Sequence, residues 1–117
     1  MIILAMDLSL TSPGFSVGEV KAGKIKVLHI SHVTTKTNDG MGKRLAAIFH
    51  HIEDLYRKYS IDIAVKERGF HKGIATTAKL RKVDGVAALA VFMCSGQDDI
   101  PEIGPTTVKK AVTGDGK

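Results

Sequence analysis

The chain carries a single cysteine, Cys94, and no tryptophan among its 117 residues. One cysteine cannot build a disulfide framework within the chain, so a reducing cytoplasm is the expected compartment. Zinc-type Cys/His spacing is also missing. The histidines are His29, His32, the adjacent His50 and His51, and His71, and helical neighbours point about 100° apart, which makes no metal site. No apolar run approaches the ~20 residues of a membrane helix. The opening Met1–Asp7 has no basic leader and meets a charge too soon for a signal peptide, so no membrane attachment is expected. Neither a GxGxxG nor a Walker-type phosphate loop occurs. Repeats, low-complexity tracts and interdomain linkers are absent too, and residues 1–117 read as one domain.

Enough apolar residues remain, 44%, to fill one core. Lys and Arg outnumber Asp and Glu by 17 to 12. A net charge of +5 on so short a chain favours a polyanionic partner such as nucleic acid. Charge alone fits a merely basic soluble protein equally well.

The apolar run Ile2 to Leu8, interrupted by Asp7, reads as a central strand. Turn chemistry at Thr11-Ser12-Pro13-Gly14 leads to strands over Phe15 to Val20 and Ile25 to Val33, joined at Ala22-Gly23. Met41 to Tyr59 spaces Leu45, Ile48, Phe49, Ile52, Leu55, Tyr56 and Tyr59 by threes and fours, an amphipathic helix. Ile61 to Glu67 is another strand, Thr76 to Cys94 a second helix, and Ile100 to Gly104 a short fifth strand. Thr106 and Thr107 can cap a third helix through Ala111. A meander followed by strand–helix alternation predicts an α/β fold in which helical crossovers make the later strands parallel to the first.

Asp7 and Glu67 fall at the carboxyl ends of two apolar strands, where such sheets bind ligands. If those strands are neighbours, they lie ~4.8 Å apart and bring the two carboxylates together. Side by side they repel, and a buried strand has little reason to carry an acid without compensation. Mg²⁺ removes both problems, because it takes oxygen ligands and keeps waters and phosphates in its shell. Each acid alone has a simpler explanation: Asp7 as a turn cap, Glu67 paired with Arg68 or Lys66. Lys66 itself should face away from Glu67, as a phosphate contact or a solvated edge charge. Arg68, Lys72, Lys79, Arg81 and Lys82 follow Glu67 closely and are candidate DNA-phosphate contacts, though a solvated helix face would look the same. Phe70, between Gly69 and Gly73, could stack on an unpaired base or pack under its own loop. Gly85 would let the second helix pack closely against a neighbour.

Five stretches resemble the RuvC family of Holliday junction resolvases, especially the smaller phage-type versions. They are Ile3-Leu4-Ala5-Met6-Asp7-Leu8-Ser9 with Ser12-Pro13-Gly14-Phe15; Lys43-Arg44-Leu45; Ala64-Val65-Lys66-Glu67-Arg68-Gly69-Phe70; Ala78-Lys79-Leu80 with Gly85-Val86-Ala87; and Val108-Lys109-Lys110-Ala111-Val112-Thr113-Gly114. The resemblance implies a ribonuclease H-like mixed five-stranded sheet, three strands antiparallel and the rest parallel, flanked by helices. It further implies a homodimer that nicks four-way DNA junctions, and other branched DNA such as forks, with Mg²⁺ or Mn²⁺. Asp7 and Glu67 match the first two of four catalytic and metal-binding acids, and Phe70 an aromatic near the junction centre. Lys109 matches a basic residue at the cleavage site, and Lys110 and Lys117 join it as expected DNA contacts. The family's last two acids lie on a helix after that basic segment. The sequence ends at Lys117 before such a helix, and Asp115 in its Gly-Asp-Gly turn is no substitute, so a longer natural protein is expected. Two other readings remain: a branched-DNA-binding module of the same fold that does not cut, and an actin-like or sugar-kinase-like ATPase, which the Asp7 strand and turn alone would fit.

Overall fold

The computed structural model describes residues 1–67 and 73–104. Five strands and two helices follow in the order β1 (Ile2–Asp7), β2 (Gly14–Lys21), β3 (Lys24–His32), α1 (Met41–Lys58), β4 (Ile63–Glu67), α2 (Ile74–Ser95) and β5 (Glu102–Ile103). The sheet order is β3-β2-β1-β4-β5. β1, β2 and β3 pair antiparallel, while β4 pairs parallel with β1 and β5 parallel with β4. This is the expected mixed sheet, with β1 at its centre. The expected third helix near Thr106 lies outside the described residues.

Both described helices cover one face of the sheet. Leu4, Met6, Val17 and Ala64 from the strands meet Ile48, Ile52 and Leu55 of α1 and Val83, Ala87, Ala90 and Val91 of α2 in one buried cluster. Strand alternation sends Ala5 and Val65 to the opposite face, where they pack with Ile103 in a second small cluster. α1 ends on Arg57 and Lys58, cations suited to the negative end of the helix dipole. α2 ends at Gly96, whose left-handed backbone (φ 79°) lets its N–H reach the Phe92 carbonyl at 2.7 Å.

Two side chains set strand ends that differ from the sequence expectation. β4 begins at Ile63 because Asp62 turns its carboxylate to the Ile2 N–H at 2.7 Å, and the Asp62 N–H donates to the Ile2 carbonyl at 2.8 Å. β5 is only two residues long. Ahead of it Gln97 stands in for a strand, its Oε1 accepting from the Ala64 N–H at 2.9 Å and its Nε2 donating to the Ala64 carbonyl at 2.8 Å.

β3 is one of the two edge strands of the described sheet, so His29 and His32 lie at an edge, as expected. His29 anchors that edge to α1 through a polar chain: Tyr59 Oη lies 3.4 Å from His29 Nδ1, His29 Nε2 lies 2.7 Å from Ser31 Oγ, and Ser31 Oγ lies 2.8 Å from His51 Nε2. The His51 ring also packs on Phe15, centroid to centroid 4.8 Å. Burial, and secondarily the charge on His29, push the His51 pKa below its ordinary 6.5, while Asp54 opposes and Lys58 adds slightly. The unfolded chain therefore takes up this proton first as pH falls. His51 costs no stability above about pH 6.5 and loses stability for the fold below it. Urea titrations at pH 7.5 and pH 5.5 should show a smaller acid loss for His51→Gln than for the parent; an identical loss would place the acid sensitivity elsewhere.

Candidate active site

The parallel register of β1 and β4 pairs Ala5 with Val65 and Met6 with Lys66. The next residues along, Asp7 and Glu67, end their strands side by side. Both alternate onto the face that carries Ala5, Val65 and Ile103, away from the helices. Across β1, Asp7 pairs with Gly14 of β2. A Cβ at position 14 would sit 3.9 Å from the Asp7 Cβ, an ordinary contact, so sterics alone do not demand glycine there.

One premise is corrected. Asp7 is exposed and Glu67 only half-buried, because each is the last residue of its strand and projects at the sheet rim. Burial of an isolated acid is therefore not the reason for the pair; their juxtaposition is. Among the described residues no cation pairs with Asp7. Lys66, the neighbour of Glu67, turns to the helix face as alternation requires, and its ammonium meets Asp84 of α2 at 3.6 Å and Glu102 of β5 at 3.7 Å. With its side chain 16% exposed between two carboxylates, Lys66 is neither a free phosphate contact nor a solvated edge charge. Two hard oxygen donors at adjacent rim positions, one of them exposed to solvent, fit a divalent cation that retains water and phosphate ligands. They supply part of a ligand set: among the described residues no group of three or more His, Cys, Asp or Glu converges.

The candidate DNA contacts divide. Lys79, Arg81 and Lys82 are exposed on the first half of α2. Arg81 also borders a cleft of about 430 Å³ shared with Gly73, Ile74, Thr77 and Ala78, where α2 begins. Arg68, Phe70, His71, Lys72, Lys109, Lys110, Asp115 and Lys117 lie outside the described residues. Gly85 is exposed, with nothing near enough to need its missing side chain, so it serves no close packing within the described chain. Beyond Gly85 that side of α2 is apolar and open: Leu89, Phe92 and Met93 are 53%, 49% and 67% exposed, and Cys94 is exposed beside them. No described helix is long and apolar enough to cross a membrane.

Sequence reasoning missed the polar group behind the Asp7 turn. Arg44, in the first turn of α1, is 7% exposed; its Nε donates to Thr35 Oγ1 at 3.0 Å and its Nη2 to Thr11 Oγ1 at 3.1 Å. An Arg within an amphipathic segment reads as surface, and only the placement of two threonines from distant loops reveals it as interior.

The family model described as crossover junction endodeoxyribonuclease RuvC matches residues 3–117. A protein of that name from Ruminiclostridium cellulolyticum is 31% identical over 118 residues, all of this chain and 70% of the relative. Its namesake from Rickettsia akari is 34% identical over 119 residues, 99% of this chain and 73% of the relative. Among solved structures, Thermus thermophilus RuvC in complex with Holliday junction substrate superimposes with a TM-score of 0.83 at 24% identity, covering all of this chain and 71% of that one.

Proposed function

The chain belongs to the RuvC family of crossover junction endodeoxyribonucleases, and from that membership we propose that it nicks four-way DNA junctions with a divalent cation held by Asp7 and Glu67. The register that brings these two acids to one rim of the sheet carries the reading. The cation supplies charge neutralisation at the scissile phosphate and a more acidic water. The rest belongs to the chain. Asp7 and Glu67 fix the cation from adjacent strands, so a rigid sheet sets their spacing. Asp7, exposed at the rim, is accessible to substrate. Lys79, Arg81 and Lys82 meet backbone phosphates, together with Arg68, Lys72, Lys109, Lys110 and Lys117, and Phe70 stacks near the branch. Mg²⁺ is the expected ion and Mn²⁺ a substitute, since both accept oxygen ligands. Forks and other branched DNA are further substrates, and the cytoplasm, where DNA is reachable, is the expected location.

Two copies acting together would cut a junction symmetrically, and α2 offers the surface. Val83, Ala87, Ala90 and Val91 bury one side of this helix, while Leu89, Phe92 and Met93 leave the other side apolar and exposed. The first half of α2 carries Lys79, Arg81, Lys82 and Asp84, but from Val86 to Cys94 the helix is apolar on both sides, and an apolar helix surface is normally covered. Phe92→Glu should convert a dimer into a folded monomer in sedimentation velocity, and an unchanged dimer would move the interface elsewhere.

The testing experiment is nicking of a synthetic four-way junction beside linear duplex of the same sequence, in Mg²⁺ and in chelator. Mg²⁺-dependent paired nicks confined to the junction support the reading. Junction binding without nicks points instead to a binding module.

A further inference from the structure

Arg44 poses an electrostatic problem. Its guanidinium is almost wholly buried, yet among the described residues no carboxylate meets it; it donates instead to two threonine hydroxyls. A buried cation without a counter-charge is expensive, and an apolar side chain of similar size would ordinarily serve a core better. Methionine has no donor, and glutamine and lysine donate from one nitrogen only; the guanidinium donates from two separate nitrogens of a rigid planar fork, here Nε and Nη2, to two acceptors.

Those acceptors belong to different loops. Thr11 lies in the turn between β1 and β2, four residues after Asp7; Thr35 lies between β3 and α1. Thr35 is itself 6% exposed and grips the same turn twice, its Oγ1 donating to the Leu10 carbonyl at 2.6 Å and its N–H to the Thr11 carbonyl at 2.9 Å. The Val33 N–H adds a bond to the Pro13 carbonyl at 3.0 Å. Leu8 and Leu10 pin the turn from below in the main core. The segment that leaves Asp7 is thus fastened at successive residues, and Arg44 ties the fastening to the start of α1.

We propose that Arg44 is a positioning residue for the Asp7 carboxylate: with Thr35 it braces the Leu10–Thr11 turn, and so fixes the direction in which the last residue of β1 presents its acid to a cation. This rests on the reading of Asp7 as a metal ligand. Arg44 acts through the turn and makes no contact with DNA.

The test uses the intact protein and two readouts besides nicking: Mn²⁺ affinity by calorimetry, and the salt dependence of junction binding in chelator. Arg44→Met should weaken Mn²⁺ binding several-fold, approaching the roughly tenfold lost with a direct outer partner of a metal ligand, because Arg44 acts on Asp7 through the turn. Junction affinity should stay within about twofold and its salt slope should not change, because no phosphate contact is lost. Thr35→Val should act in the same direction, Thr35→Ser should resemble the parent, and Arg44→Met with Thr35→Val should lose little more than either alone, since both cut one brace. Parent-like Mn²⁺ affinity in folded Arg44→Met overturns the proposal. So does a salt slope shallower by about one phosphate's worth, which would make Arg44 a direct DNA contact. If Arg44→Met does not fold, Thr35→Val decides alone: parent-like Mn²⁺ affinity there overturns the brace. Asp7→Asn runs in the same titration, and if it binds Mn²⁺ like the parent, the metal assignment itself has failed rather than the brace.

Discussion

Asp7→Asn should abolish junction nicking, slowing it by at least about a hundredfold, and leave junction binding within a few-fold of the parent. Outer partners of metal ligands already cost about 10–100-fold when removed, so a ligand at the sheet rim should cost no less. Asn keeps the shape and a carbonyl oxygen but gives up the charge that draws the cation. Binding, by contrast, is set mainly by Lys and Arg against phosphates, and removing one acid lessens repulsion there if it does anything. Single-turnover nicking in Mg²⁺ and gel shifts in chelator measure the two separately. Glu67→Gln should behave alike, because its strand holds it at the matching register position. A variant that cuts at the parent rate would remove Asp7 from the metal site.

Ile52→Ala should destabilise the fold by about 2–5 kcal/mol, the usual cost of a cavity under a fully enclosed branched side chain. Ile52 is wholly buried on the face of α1 that meets the sheet and α2, so little can collapse into the space. A domain of this size has only about 5–15 kcal/mol to lose. The melting temperature should fall by roughly 10 °C or more, read by circular dichroism on parent and variant. A drop of a degree or two would mean the core repacks around position 52.

Periodicity made most of the fold legible. Gaps of three and four from Leu45 to Tyr56 locate α1 to within a residue, because the apolar stripe has to face the sheet. The apolar runs ending in Asp7 and Glu67 give the two central strands. Strand boundaries were less legible where a side chain from elsewhere does the pairing, as Gln97 does on Ala64 and Asp62 on Ile2. Such bonds join residues 33 and 60 positions apart, and nothing in the local pattern announces them.

For the site, the sequence by itself determined that two acids close two apolar strands, that cations crowd after the second, and that the ordered stretches are those of a resolvase family. Tertiary structure decided the rest. Only the sheet order places β4 against β1 in the register that sets Asp7 beside Glu67. Strand alternation already turns Lys66 away from Glu67 on paper, but only the fold seats its ammonium between Asp84 and Glu102. Arg44, an ordinary helix cation on paper, becomes the interior brace of the Asp7 turn because folding brings Thr11 and Thr35 to its fork. Chemistry is carried by residue type, which the sequence states outright. Direction and partnership depend on which distant backbones pack together, and a linear pattern does not encode that locally.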